Sequence, residues 1–146
     1  MPLSNLTIFN VAAGTFTRLV ADGDEHAKAA WSPDGEWIAF GRDTPDGQPP
    51  DQRISVVRAD GSGDRILVDG RSPSWTPDGK LISFTRADPG TRTKPLYTIN
   101  YQGFGERQLT NPPGRLADEY ASWSEDGSTI VFTRHRGLQE ANIVVQ

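Results

Sequence analysis

Cysteine is absent from this 146-residue chain, which removes disulfides, thiol nucleophiles and cysteine-ligated zinc from the account. Nowhere do 18 apolar residues run together, so no helical membrane span is encoded and membrane insertion is not expected. Basic residues do not predominate either: 15 Lys and Arg against 19 Asp and Glu leave a net charge of −4. That is the wrong sign for nucleic acid or an anionic membrane surface as the main partner. Met1 to Gly14 lacks the basic start and the continuous apolar stretch of a secretory leader. The expected location as encoded is the cytoplasm. Apolar residues are scarce too, at 35%, low for one globular core and natural for thin sheets stacked face to face.

The signatures of common chemistries are missing as well. There is no H-x-x-x-H ligand pair, no D-x-D-x-D-G loop, no G-x-S-x-G elbow and no phosphate-cradling glycine motif. The sequence therefore predicts no metal, no cofactor and no catalytic residue.

What the chain does contain is repetition. Trp31 opens W-S-P-D-G, Trp75 opens W-T-P-D-G and Trp123 opens W-S-E-D-G, at spacings of 44 and 48 residues; periods of this length point to an array of small repeated sheets. Seven, nine and eleven residues after each Trp come Ile, Phe and Arg: Ile38, Phe40 and Arg42, then Ile82, Phe84 and Arg86, then Ile130, Phe132 and Arg134. Apolar positions two apart mark a strand. The intervening Ser/Thr-Pro-Asp-Gly suits a tight turn, because Pro presets φ and Gly accepts positive φ. A second hairpin follows, with Ile54 to Leu67, Leu96 to Leu109 and Leu6 to Leu19 in one frame. Four strands per unit, A to D with the Trp on A, make a propeller blade.

W-S-P-D-G followed by W-I-A-F, together with V-R-A-D-G-S-G-D-R-I-L-V, resembles the PD-type repeat of the TolB β-propellers, a relative of the WD repeat. The resemblance covers nearly the whole chain. It departs at Glu125, which replaces Pro in the third signature, and at Ala13, where other copies of the C–D turn have Gly. It implies a protein- or peptide-binding scaffold, often six-bladed and often periplasmic, which makes the periplasm the alternative location if a leader was removed, and it does not imply an enzyme.

The expected fold is an all-β propeller of four-stranded antiparallel blades, three per chain. Residues 1–20 supply strands C and D of a shared blade, 21–69 and 70–113 are whole blades, and 114–146 is a partial blade completed in trans. Three blades do not close a ring, since natural propellers use four to eight. Two copies are therefore expected to form a six-bladed homodimer; nine blades from three copies is the alternative.

Residues that obey the repeat are assigned to the scaffold: Trp31, Trp75 and Trp123; Asp34, Asp78 and Asp126; Gly35, Gly79 and Gly127. Function is expected where the copies disagree, in the D–A connections. Glu25, His26, Arg71, Asp118, Glu119 and Tyr120 form a polar set suited to gripping a peptide or small polar ligand at one channel mouth. Trp37, where other blades have Leu81 and Thr129, is a candidate surface contact, and His135 is placed in an exposed B–C loop. The rival readings are a purely structural self-assembling half-propeller, either a fragment or engineered, and a channel-mouth hydrolase or lyase. A third is the excised propeller cap of a prolyl-oligopeptidase-like protease.

Overall fold

The computed structural model describes residues 5–21, 26–43, 52–136 and 141–145. Each signature folds into the same turn, and its side chains explain why. The hydroxyl of Ser32, Thr76 or Ser124 donates to Oδ1 of Asp34, Asp78 or Asp126 at 2.5, 2.6 and 2.6 Å. The same hydroxyls accept from the amides of Trp37, Leu81 and Thr129. The glycines Gly35, Gly79 and Gly127 take φ of 73°, 69° and 70°, the left-handed region a side chain disfavours. Glu125 leaves the third turn intact, since the bonding there does not involve the position Pro occupies elsewhere.

Thirteen strands follow from these hairpins among the described residues: β1 Leu6–Asn10, β2 Thr15–Val20, β3 His26–Trp31, β4 Trp37–Asp43, β5 Gln52–Arg58, β6 Arg65–Asp69, β7 Arg71–Trp75, β8 Leu81–Thr85, β9 Leu96–Asn100, β10 Arg107–Gln108, β11 Ala117–Trp123, β12 Ile130–His135 and β13 Ala141–Val145. They form four antiparallel meanders: β1-β2, β3-β4-β5-β6, β7-β8-β9-β10 and β11-β12-β13. The two four-stranded sheets are whole blades, flanked by a C–D pair before them and an A–B–C set after them. No helix among the described residues is long and apolar enough to cross a membrane.

The core lies between blades. Phe84, Ile82, Tyr97 and Ile99 of the second blade pack on Ala39, Ile54 and Val56 of the first. Ile38, Phe40 and Val57 of the first pack on Val20, Leu6, Ile8 and Leu19 of β1-β2, while Leu96 meets Ala121, Ile130 and Phe132 of the third. Two of these three seams also carry a Trp hydrogen bond that reaches, directly or through a serine hydroxyl, the residue before the preceding Trp. Trp75 Nε1 donates to the Ala30 carbonyl at 3.1 Å. Trp123 Nε1 donates to Ser83 Oγ at 3.1 Å, and Ser83 Oγ in turn donates to the Ser74 carbonyl. Trp75 is 7% exposed and Trp31 is 51% exposed; among the described residues the sheet before Trp31 is the two-stranded β1-β2, whereas Trp75 packs on a four-stranded one.

Arg at eleven residues past the Trp is a clamp within the blade. Arg42 holds Asp64 in a fork at 2.9 and 2.8 Å, and Arg86 holds Glu106, both carboxylates lying in C–D turns. Arg134 instead holds Asp118 on strand A, through Nε to Oδ1 at 2.7 Å and Nη2 to Oδ2 at 3.0 Å. These pairings place all three arginines in the scaffold.

Candidate functional site

Strand A of every blade breaks register at the same place. The ladder shifts between Ala27 and Ala30, between Arg71 and Ser74, and between Glu119 and Ser122. Within each break the residue three before the Trp is left-handed: Lys28, Ser72 and Tyr120 have φ of 54°, 55° and 59°. Three different side chains in one strained conformation show that the fold imposes the bulge and leaves the residue type free. A bulge re-aims the side chains beside it, and these are the positions at which the repeat diverges.

The bulges bring residues of all three blades together. Arg71 Nη2 lies 2.9 Å from Glu119 Oε1, bridging the second and third blades, and Lys28 Nζ sits 4.7 Å from the centre of the Tyr120 ring, bridging the first and third. His135 Nε2 is 3.1 Å from Glu119 Oε2. Asp118 is fully buried, its carboxylate taken by Arg134. Its backbone is held by the second blade, with Thr85 Oγ1 donating to the Asp118 carbonyl at 2.8 Å and the Asp118 amide donating to the Lys94 carbonyl. Hydrogen bonding to Asp118 pushes the Arg134 guanidinium above its ordinary pKa.

Glu119 is only 5% exposed, and its Oε1 has no hydrogen-bond partner among the described residues although Arg71 stands 2.9 Å away. The Arg71 contact is therefore an ion pair whose approach lies off the hydrogen-bond axis. A buried acceptor left in this state is unfavourable and is satisfied by any N–H or O–H that reaches it.

The sequence-predicted residues divide on this geometry. Arg71, Glu119 and Tyr120 share one cluster, with Tyr120 exposed. Asp118 anchors the blade from beneath, and His26 is half-buried with its ring edge-on to Phe40 at 5.4 Å. Glu25 lies outside the described residues. Trp37 is at the opposite end of β4, five residues or about 17 Å from Arg42. Its ring is stacked by Arg58 and Arg65 at 4.8 and 5.0 Å, with Tyr101 of the next blade at 5.7 Å, so it joins two blades. Lys28 lies in the first D–A connection, residues 24–28, which the sequence assigns to the mouth without singling Lys28 out as a contact, and His135 was placed in a loop. It ends strand β12, opposite Ala117. His135 and Glu119 form a pair with acid–base capacity. No group of three or more His, Cys, Asp or Glu is placed to hold a metal among the described residues.

No protein-family model matches the chain, and no curated protein matches it in sequence. Solved structures do. TolB from Acinetobacter baumannii superimposes with a TM-score of 0.79 at 17% identity, over 97% of this chain and 35% of that one. An oligogalacturonate lyase in complex with manganese gives 0.75 at 20% identity, over 97% and 38%. A prolyl endopeptidase gives 0.66 at 18%, over 92% and 23%. The chain has the TolB-like β-propeller fold and spans from 23% to 38% of the length of these three structures.

Proposed function

We propose that the chain is a non-catalytic binding scaffold that closes a propeller ring from two copies and holds a peptide or small polar ligand at the mouth formed by the strand-A bulges. The observation that carries this reading is the convergence of exposed Lys28 and Tyr120 with the Arg71–Glu119 ion pair, which brings non-repeating residues of all three blades together at the bulges. The Tyr120 ring supplies apolar contact area at low entropic cost, and Lys28 and Arg71 receive carboxylate or carbonyl oxygens. Three blades converging through non-repeating residues favour recognition over mere stacking, since stacking is served by residues that recur.

The test is to pan a displayed peptide library against the purified chain and titrate the selected peptides against a Lys28→Ala/Tyr120→Ala variant. At least tenfold weaker binding at unchanged melting temperature is expected. Equal affinity for the variant would remove the mouth from the reading. A channel-mouth hydrolase or lyase is the second reading, favoured by the His135–Glu119 pair. Turnover of a peptide or uronide substrate that disappears in His135→Gln would establish it.

A further inference from the structure

The two ends of the strand series leave three positions open that the inner seams close. Trp31 is exposed where Trp75 is buried. Phe9 is 48% exposed where its equivalents Val57 and Ile99 are at 0% and 3%, and Val145 is 67% exposed where Val56 is at 0%. Leu6, Ile8, Leu19, Ala30, Trp31 and Ile38 line a cleft of about 170 Å³, at the place where strands A and B of a blade would lie against Trp31. Open at the other end is the blade β11-β12-β13, which has a strand A and a strand B. β13 already occupies the C position beside β12, so two C-type strands compete for one edge.

We infer that β1 of one copy pairs with β12 of a second copy in the place β13 holds in the single chain, so that β1-β2 complete the second copy's third blade and Trp31 packs on its strand A. This rests on the two-copy ring proposed above and names its seam. The register follows from the blades already formed. Ile54 faces Gly41 and Val56 faces Ala39 in the first blade; Leu96 faces Thr85 and Thr98 faces Ser83 in the second; Ile143 faces Thr133 and Val145 faces Val131 in the third. In the same frame Leu6 faces Thr133 and Ile8 faces Val131 of the second copy. Trp31 Nε1 then meets the carbonyl of Ser122 of the second copy, as Trp75 meets that of Ala30.

Two departures from the repeat match this seam and no other. The strand-B arginines of the whole blades take their carboxylate from the C–D turn, Asp64 or Glu106. The equivalent position in the β1-β2 hairpin is Phe16, at the start of β2, which carries no charge, and Arg134 is the arginine that has its carboxylate on strand A instead, in Asp118. Joining β1-β2 to β11-β12 therefore leaves every such arginine paired; joining them to a blade built like the other two would strand one. The turns repeat the point. Pro33 lies beside Gly79 and Pro77 beside Gly127, each where a Cβ on the glycine would meet it, whereas a Cβ on Gly35 would meet open space and the third turn has Glu125 in place of Pro. Those two odd positions meet across the proposed seam.

The experiment uses the full chain, whose lack of cysteine makes any introduced pair unambiguous. Ile8→Cys/Val131→Cys is oxidised and run on a non-reducing gel beside light scattering of the wild type. Directly opposed strand residues lie within disulfide reach. Expected are a native mass of twice 16.0 kDa and a covalent dimer that reduction returns to monomer. A dimeric wild type whose double variant stays uncrosslinked overturns the seam and spares the ring; a wild-type mass of 16.0 kDa overturns both. As a second variant, Val144→Pro removes a rung that β13 makes with Phe132. Dimer affinity is expected to be unchanged or tighter, and tenfold weaker association overturns the displacement of β13.

Discussion

Trp75 and Trp31 occupy one position of the repeat in opposite surroundings. Trp75 is wedged between blades and hydrogen-bonded to Ala30, while Trp31 stands open above a cleft whose walls are already apolar. The contrast separates what a blade does for itself from what its neighbour does for it. Both tryptophans end a strand A, precede the same turn and pair with the same isoleucine, Ile82 or Ile38. Their hairpins are equal; only the seam differs.

Substitution tests that difference most strongly. Trp75→Ala is expected to cost about 3–5 kcal/mol in urea unfolding, the usual loss for a large buried aromatic. Trp31→Ala should cost the isolated chain less than about 1 kcal/mol and show its effect in association instead. Equal losses at both positions in dilute monomer would break the comparison. The arginines give a second contrast in one frame. Arg134→Ala leaves the fully buried Asp118 carboxylate without its partner and is expected to destabilise by about 3 kcal/mol or more. Arg86→Ala releases Glu106, whose side chain is partly exposed, and should cost about 1 kcal/mol. A chemical melt of each variant decides the order.

The smallest effect is expected where the blades are alike. The Asp126 carboxyl is held at about 2, first by the Ser124 hydroxyl and then by the Ser128 amide and hydroxyl. Asp34 and Asp78 are lowered in the same way, chiefly by Ser32 and Thr76. Unfolded aspartate titrates near 3.9, roughly, so the folded value is the depressed one. This contribution is then present above about pH 4 and is lost as pH falls toward 2. The melting temperature should decline across that window, and Asp126→Asn should flatten part of the decline. A flat profile in the wild type would mean the turn bonds are not retained in solution.

The candidate site was legible only in outline. Arg71, Glu119 and Tyr120 were singled out because they break the repeat, and the structure pairs Arg71 with Glu119 across two blades. Lys28 was placed in a mouth-lining connection but not singled out as a contact, because its bulge is a backbone property shared with Ser72 and Tyr120, invisible in the residue types. His135 was assigned to a loop because Arg134-His135-Arg136-Gly137 reads as polar and turn-like, yet the ladder with β11 and β13 runs through His135. Trp37 drew attention by differing from Leu81 and Thr129, and that difference proves to be a stack with Arg58, Arg65 and Tyr101.

The period, the turns, the order of strands and the blade type were determined by the sequence alone. A hairpin needs only a local turn and a two-residue alternation, both written within about fifteen residues. The clamp of Arg134 on Asp118, the meeting of Lys28 with Tyr120 and the nakedness of Trp31 were decided by tertiary structure. Each depends on a partner brought near by stacking sheets, or withheld by it, and a repeating sequence records the sheet without recording its neighbour.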